Sequence, residues 1–261
     1  MAGDGFDRPA PTRGLGGEQV EGRQAVRELL LAGRRRVREI LVADGQDQSP
    51  ILAEIEELAA EAKVALRRVS KLQLEAVAKT EHPQGVVARA APLAEADFET
   101  LMRTAPGSRT PFLIAVDGVT DPQNLGALLR SAEGAGVTGV VLPQHRSVHV
   151  TPTVTKAAAG AIERLPIALV SGLASALLEA KRRDVWSIGL DADGERTIYE
   201  FANLADAPLI LVVGAEGAGM SRLVRERCDA VAAIPLRGAI ASLNAATAGA
   251  IALFEFGRHR T

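Results

Sequence analysis

The chain of 261 residues has one cysteine, Cys228, so an internal disulfide is excluded and folding rests on the core, for which 47% hydrophobic residues supply ample material. A basic surplus is also missing. Thirty Lys plus Arg stand against 32 Asp plus Glu, for a formal net charge of −2, so the global charge gives no electrostatic footprint for a nucleic acid. Long apolar runs are absent: even the uncharged stretch 239–254 is interrupted by Ser242, Asn244 and Thr247 and falls short of the roughly 20 residues a membrane helix needs. No membrane partner is expected. The first residues carry no apolar export run, which with the single cysteine points to a reducing, cytoplasmic setting. Of the four histidines, His145 and His149 have ligand-like spacing but are flanked by Pro143 and Pro152, and no metal is expected. Cys228, between Arg227 and Asp229 with no histidine nearby, reads as structural rather than nucleophilic.

What is present is a regular alternation of helix and strand patterns. Residues 1–17, rich in Gly and Pro, read as a disordered, dispensable tail. Residues 18–91 alternate: a helix through Val26, Leu29 and Leu30, a strand at 39–42, and a helix through Ile51, Ile55 and Leu58. A strand at 64–69, a short helix at 71–79 and a strand at 85–88 follow, completing a small three-layer α/β unit. Residues 92–110, with Pro92, Pro106, Gly107 and Ser108, carry linker chemistry. Residues 111–261 form a second α/β domain, with apolar runs at 112–116, 139–142, 167–170, 185–190, 209–213 and 230–235 separated by helical segments. This pattern predicts a parallel sheet covered on both faces, with ligands collecting where loops leave the C-terminal ends of strands.

Three strand-exit loops combine glycines with polar groups. The first, 117–126, leads through Asp121-Pro122, a helix-start signal, to Asn124 and a helix holding Arg130. The second, Gly214-Ala215-Glu216-Gly217-Ala218-Gly219, has neither the glycine spacing of a dinucleotide fingerprint nor the Gly-Lys-Ser/Thr of a phosphate loop. The third, 234–244, opens a helix running to Glu255 that is apolar almost all round, with Ser242 as a candidate cap and small residues that suit a subunit interface. Basic runs at 34–38, 181–183 and 258–260 suit either phosphate contact or a solvated face.

In order, spacing and content, 117–137, 209–223 and 234–256 resemble the three motifs of the SpoU (TrmH) family of RNA ribose 2′-O-methyltransferases, members of the SPOUT class. The segment Lys156-Ala157-Ala158-Ala159-Gly160-Ala161 fits an intervening family segment. Val20-Glu21-Gly22-Arg23-Gln24-Ala25-Val26 and His82-Pro83-Gln84-Gly85-Val86 are similar to those of members with a ribosomal-protein-like RNA-binding domain that modify guanosine in large-subunit ribosomal RNA. The resemblance implies a trefoil-knotted methyltransferase domain, S-adenosylmethionine as cofactor, RNA as substrate and a homodimer. It puts Gly214, Gly217, Ile234, Leu236 and Leu243 at cofactor-contacting positions, and Asn124, Arg130, Glu216, Ser242 and Asn244 at catalytic or substrate-side positions. Where the family commonly follows this Asn with Val-Ser, Ala245-Ala246 stand here.

Methyl transfer to a hydroxyl is an in-line displacement in which the 2′-oxygen must be held close to the methyl and lose a proton. An arginine acting as the base would give up its own proton at neutral pH, at a cost of roughly 8 kcal/mol. Arg130 is therefore expected to hold phosphate and stabilise developing alkoxide charge, with Asn124 and Asn244 orienting the ribose and Glu216 positioning Arg130. The alternatives are a transfer-RNA ribose, a ribosomal adenosine modified in antibiotic resistance, and a non-catalytic RNA-binding protein.

Overall fold

A computed structural model describes residues 14–45, 49–145, 149–204, 206–239, 242–258 and 260. Most of the tail read at 1–17, and His259 of the last basic run, lie outside these residues. The N-terminal unit runs β1 (Gln19–Glu21), α1 (Arg23–Ala32), β2 (Val37–Ala43), α2 (Pro50–Glu61), β3 (Ala65–Val69), α3 (Lys71–Val77) and β4 (Val86–Ala90). Its sheet has the order β1-β4-β2-β3, parallel between β2 and β3 and antiparallel elsewhere. In α1 the apolar residues Ala25, Val26, Leu29 and Leu30 recur at helical spacing, and Gly33 in the left-handed region (φ 59) stops the helix by donating its N–H to the Leu29 carbonyl. The helices α1 and α2 bury one sheet face around Ile40, Ile55 and Ala88, and α3 covers the other with Leu74 against Leu41 and Val87. These are the three layers expected. Strand β1, three residues long, is too short for an alternation signal.

The C-terminal unit runs α4 (Phe98–Leu101), β5 (Phe112–Asp117), α5 (Pro122–Gly134), β6 (Gly139–Pro143), α6 (Pro152–Ala157), a 3-10 turn (Ala161–Glu163), β7 (Ile167–Val170), α7 (Leu173–Arg182) and β8 (Trp186–Leu190). It continues through β9 (Arg196–Thr197), a second 3-10 segment (Ile198–Leu204), β10 (Leu209–Gly214), α8 (Arg222–Arg227), β11 (Ala230–Ala233) and α9 (Ala245–Gly257). All seven strands pair in parallel, in the order β7-β6-β5-β10-β8-β11-β9. Alternate side chains of one strand serve the two faces. Phe112, Ile114 and Val116 pack with Leu125, Leu128 and Leu253 of α5 and α9, and Leu113 and Ala115 pack with Leu173, Leu177 and Val224 of α7 and α8. The winding β5, β6, β7 proceeds one way, and the chain then crosses to β8, beyond β10. The switch in direction falls between β5 and β10, where open α/β sheets bind ligands.

Two boundary readings change. Leu15, assigned to the tail, is only 1% exposed within the C-terminal core, and the Gly17 N–H donates to the Val150 carbonyl at 2.9 Å. Glycine-rich composition hides such pairing because the partner lies far along the chain. The segment 92–110 also packs: the Ala96 N–H donates to the Ile167 carbonyl, Asp97 caps α4, and Met102 is buried. No helix among the described residues is long and apolar enough to cross a membrane.

Removing the Leu15 side chain leaves a cavity in this core, so Leu15→Ala is expected to cost about 2–5 kcal/mol in guanidinium unfolding. A change within about 0.5 kcal/mol, ordinary for surface positions, contradicts its packing.

Candidate cofactor and RNA site

Loops leaving β8, β10 and β11 enclose a cavity of about 370 Å³ at the C-terminal edge of the sheet, within the range of small-molecule sites. Leu190, Val213, Ala232, Ile234, Leu243 and Ala245 give it apolar surface, while Asp191, Asp193 and Glu216 bring carboxylates. Gly214 ends β10, and the chain turns back at once: Ala215 and Gly219 exchange both backbone hydrogen bonds, at 3.0 and 2.9 Å. A Cβ on Gly214 would stand 2.3 Å from the Met220 nitrogen, so this turn requires glycine. Asp117, level with Gly214 across the β5–β10 register, accepts the Ser221 N–H at 2.7 Å and ties the far end of the loop to β5.

Beside the cavity three polar side chains from three separate loops meet. Asn124, in the first turn of α5, donates Nδ2 to Glu216 Oε2 at 3.1 Å. Asn244 donates Nδ2 to Asn124 Oδ1 at 2.9 Å and to the same Glu216 oxygen at 3.3 Å. Its own Oδ1 accepts the Ala246 and Thr247 amides at 2.9 and 3.2 Å, capping α9. Asn244, not Ser242, is therefore the cap, and the helix starts at Ala245. Asp121 caps α5 by accepting the Gln123 N–H, as its place before Pro122 predicts.

Of the ten site residues read from the sequence, Gly214, Gly217, Ile234, Leu236, Leu243, Ser242 and Glu216 line the cavity, and Asn124 and Asn244 join it through Glu216. Arg130 is not brought in. It lies six residues beyond Asn124, about 240° around the helix at 100° per residue, on the exposed row with Ala127 and Gly134, without a hydrogen bond or ion pair among the described residues. Among the described residues Glu216 accepts hydrogen bonds from the two asparagines and makes none with Arg130. The loop after β8 was missed: Asp191 lines the cavity and is held by Arg225 at 2.5 Å. Leu190-Asp191-Ala192-Asp193-Gly194 is itself a strand exit with glycine and carboxylates, so the criterion used for the other loops applies to it.

The basic runs are largely engaged internally. Arg35 pairs with Glu163, Lys181 with Asp229, Arg183 with Glu99 and Arg258 with Glu255. Arg260 lies 4.6 Å over the Phe112 ring and donates to the Leu204 and Ala207 carbonyls, and burial lowers its pKa to about 10. Arg36 and Arg38 remain exposed. Burial first, then the nearby Asp229 and Asp117, pushes the Cys228 thiol up to about 12.

Three outcomes follow from this geometry. At pH 8 the Cys228 thiolate fraction is on the order of 10⁻⁴, so the half-buried Cys228 is expected to react slowly with a chromogenic disulfide reagent in native protein and fast on unfolding; equally fast native reaction contradicts the raised pKa. Asn244→Ala removes the α9 cap and is expected to cost about 0.5–2 kcal/mol, whereas Asn244→Ser keeps a capping oxygen without setting a second carboxylate beside Glu216; equal thermal stability of the two variants contradicts the cap. Gly214→Ala forces the Gly219–Met220 backbone away and is expected to weaken ligand binding in the cavity by more than about tenfold, or about 1.4 kcal/mol, by titration calorimetry with S-adenosylmethionine.

Comparison with known proteins agrees with this arrangement. Residues 111–254 match the family model described as the SpoU rRNA methylase family, and residues 19–96 match the model of an RNA 2′-O ribose methyltransferase substrate-binding domain. The 23S rRNA (guanosine-2′-O-)-methyltransferase RlmB of Pseudomonas aeruginosa is 39% identical over 247 residues, covering 94% of this chain and 97% of that protein. A putative TrmH family tRNA/rRNA methyltransferase of Staphylococcus haemolyticus is 38% identical over 242 residues, covering 92% and 95%. Among solved structures, the SpoU methyltransferase AviRb from Streptomyces viridochromogenes in complex with AdoMet superposes with a TM-score of 0.75 at 25% identity, over 92% of this chain and 89% of that one. The strand-exit loops, their polar cluster and the two-domain plan thus have one explanation: the chain belongs to the SpoU rRNA methylase family.

Proposed function

We propose that the protein transfers a methyl group from S-adenosylmethionine to the 2′-hydroxyl of a guanosine ribose in 23S ribosomal RNA, acting as a cytoplasmic homodimer. In this reading residues 18–91 bind RNA, 92–110 connect, and 111–261 carry the reaction. The observation that carries it is the meeting of Asn124, Glu216 and Asn244 beside the glycine-lined cavity. The relative of P. aeruginosa supplies the nucleotide and the RNA.

The cavity fits such a cofactor. Its apolar surface at Leu190, Val213, Ile234 and Leu243 suits an adenosine, and carboxylates at Asp191 and Glu216 suit a cationic group in a site partly shielded from water. When bound, the cofactor supplies an electrophilic methyl on a sulfonium. The chain's own residues orient the acceptor. Asn244 spends its oxygen on the α9 cap and its amide on Asn124 and Glu216, so its role is to hold the other two. Glu216 uses Oε2 for both asparagines, leaving Oε1 to accept from a ribose hydroxyl. Arg130, on the exposed face of α5 and away from the polar cluster, is left to hold RNA phosphate.

The homodimer reading rests on α9. Thr247, Ile251, Phe254 and Arg258 form one exposed stripe at helical spacing, with Phe254 53% exposed and its ring over Gly134 of α5. A second copy packed there is expected to give a dimer on sedimentation, and Phe254→Glu a monomer. In this reading the C-terminal unit carries the family's trefoil knot.

The decisive test incubates the protein with methyl-labelled S-adenosylmethionine and ribosomal or transfer RNA and maps the modified nucleotide. Label on a 23S guanosine 2′-oxygen is expected. Label confined to transfer RNA or to an adenosine replaces the substrate, and no label in any RNA sinks the enzymatic reading. Glu216→Gln and Arg130→Lys are each expected to lower turnover on the order of 10²-fold; near-wild-type turnover of Arg130→Lys removes the forked phosphate contact from the mechanism.

A further inference from the structure

The two units are joined by a buried ion pair as well as by the connecting chain. Arg35 donates Nε to Glu163 Oε2 at 2.9 Å and Nη2 to Oε1 at 2.5 Å, with side chains 6% and 1% exposed. Its Nη1 donates to the carbonyls of Gly17 and Ala91, the segments that enter and leave the N-terminal unit, at 2.7 and 2.8 Å. One guanidinium thus binds three chain segments in a single planar geometry, which a lysine cannot reproduce. Further contacts surround it: Arg164 pairs with Glu28 at 2.7 Å, Arg34 donates to the Arg164 carbonyl, and Lys156 donates to the His82 carbonyl. Gly160, at φ +91°, lets Glu28 approach so closely that an added Cβ would lie 2.1 Å from the Glu28 Cβ.

Glu163 belongs to the 3-10 turn after α6, and α6 lies tightly on α5: a Cβ on Gly126 would stand 2.4 Å from the Ala157 Cβ. The helix α5 starts two residues before Asn124. The orientation of the N-terminal unit is thereby referenced to the helix that presents Asn124 and Arg130. A buried ion pair loses solvation on both partners and is weak as a source of stability, but it is satisfied in one geometry only. The structure assigns Arg35 and Glu163 a positioning role in RNA methylation: they hold the RNA-binding unit at one angle to the methyl-transfer site, so that RNA held by the first meets Asn124 and Arg130 of the second. This role rests on the reading of the site as an RNA methyltransferase centre.

The test uses the full chain with Glu57→Cys and Ser175→Cys, exposed positions on α2 and α7, spin-labelled for distance measurement, with the half-buried Cys228 replaced by alanine throughout. Arg35→Met/Glu163→Met removes both charges together and leaves none unpaired, and Arg35→Lys keeps the charge but not the fork. Wild type is expected to give one narrow distance, and both variants a broadened one. For methylation of 23S ribosomal RNA, kcat/KM is expected to fall on the order of 10- to 100-fold in both variants, chiefly through KM. The Kd for S-adenosylmethionine is expected to stay within about twofold. A narrow distance in the double variant, or a broadened distance with wild-type kcat/KM, overturns the positioning role, as does a parallel loss of cofactor binding, which marks a merely structural pair. A wild type that keeps the narrow distance yet labels no RNA overturns the reading of the site itself, and the distance tells that failure from failure of the clamp.

Discussion

The parallel pairing of β5 with β10 is the constraint on which the site depends. Residues distant in the chain become neighbours there, with Asp117 level with Gly214 at the C-terminal ends of the two strands. The loop after β5 then delivers Asn124 through the first turn of α5, and the loop after β10 delivers Glu216, within hydrogen-bond reach of each other. Because the winding direction switches between these strands, neither loop is covered by a crossover helix on that edge. Asn244, at the start of α9, closes the group by donating to both.

Asn244 shows how stability and function share one side chain. Its oxygen satisfies two amides at the start of α9 that have no intrahelical partner, and its amide hydrogens hold Asn124 and Glu216. The helix dipole also favours the Glu216 carboxylate near the α9 N-terminus. Cap and polar cluster therefore depend on one side chain. The small residues Ala245 and Ala246 after the cap are buried against the sheet and leave no hydroxyl to extend the network.

The buried carboxylates Glu21 and Glu163 and the half-buried Asp229 are likewise paired. Glu21, fully buried in β1, accepts from the Lys79 and Thr80 amides, the Thr80 hydroxyl and Gln19, fixing the turn that leads to His82 and Gln84. Glu163 meets Arg35 between the two units. Asp229 accepts from Ser187 and pairs with Lys181.

Element identity was legible in the sequence because it depends on local periodicity. The apolar runs 112–116 and 209–213 are buried strands, and Ala25, Val26, Leu29 and Leu30 mark one face of α1. The residues of the three loops could be singled out for the same reason, since glycines and polar groups at strand exits are local features. Pairing across distance was not legible. Periodicity says nothing of which strands become neighbours, so it did not reveal that Glu216 meets Asn244 rather than Arg130, that Asn244 rather than Ser242 caps α9, or that Leu15 is core. Charge runs misled for a related reason: Arg35 looks like any surface arginine until the fold places Glu163 against it. The sequence by itself determined the secondary elements and the family's motifs; only the tertiary structure decided which polar groups face one another, because hydrogen-bond partners are chosen by distance in space and not by distance along the chain.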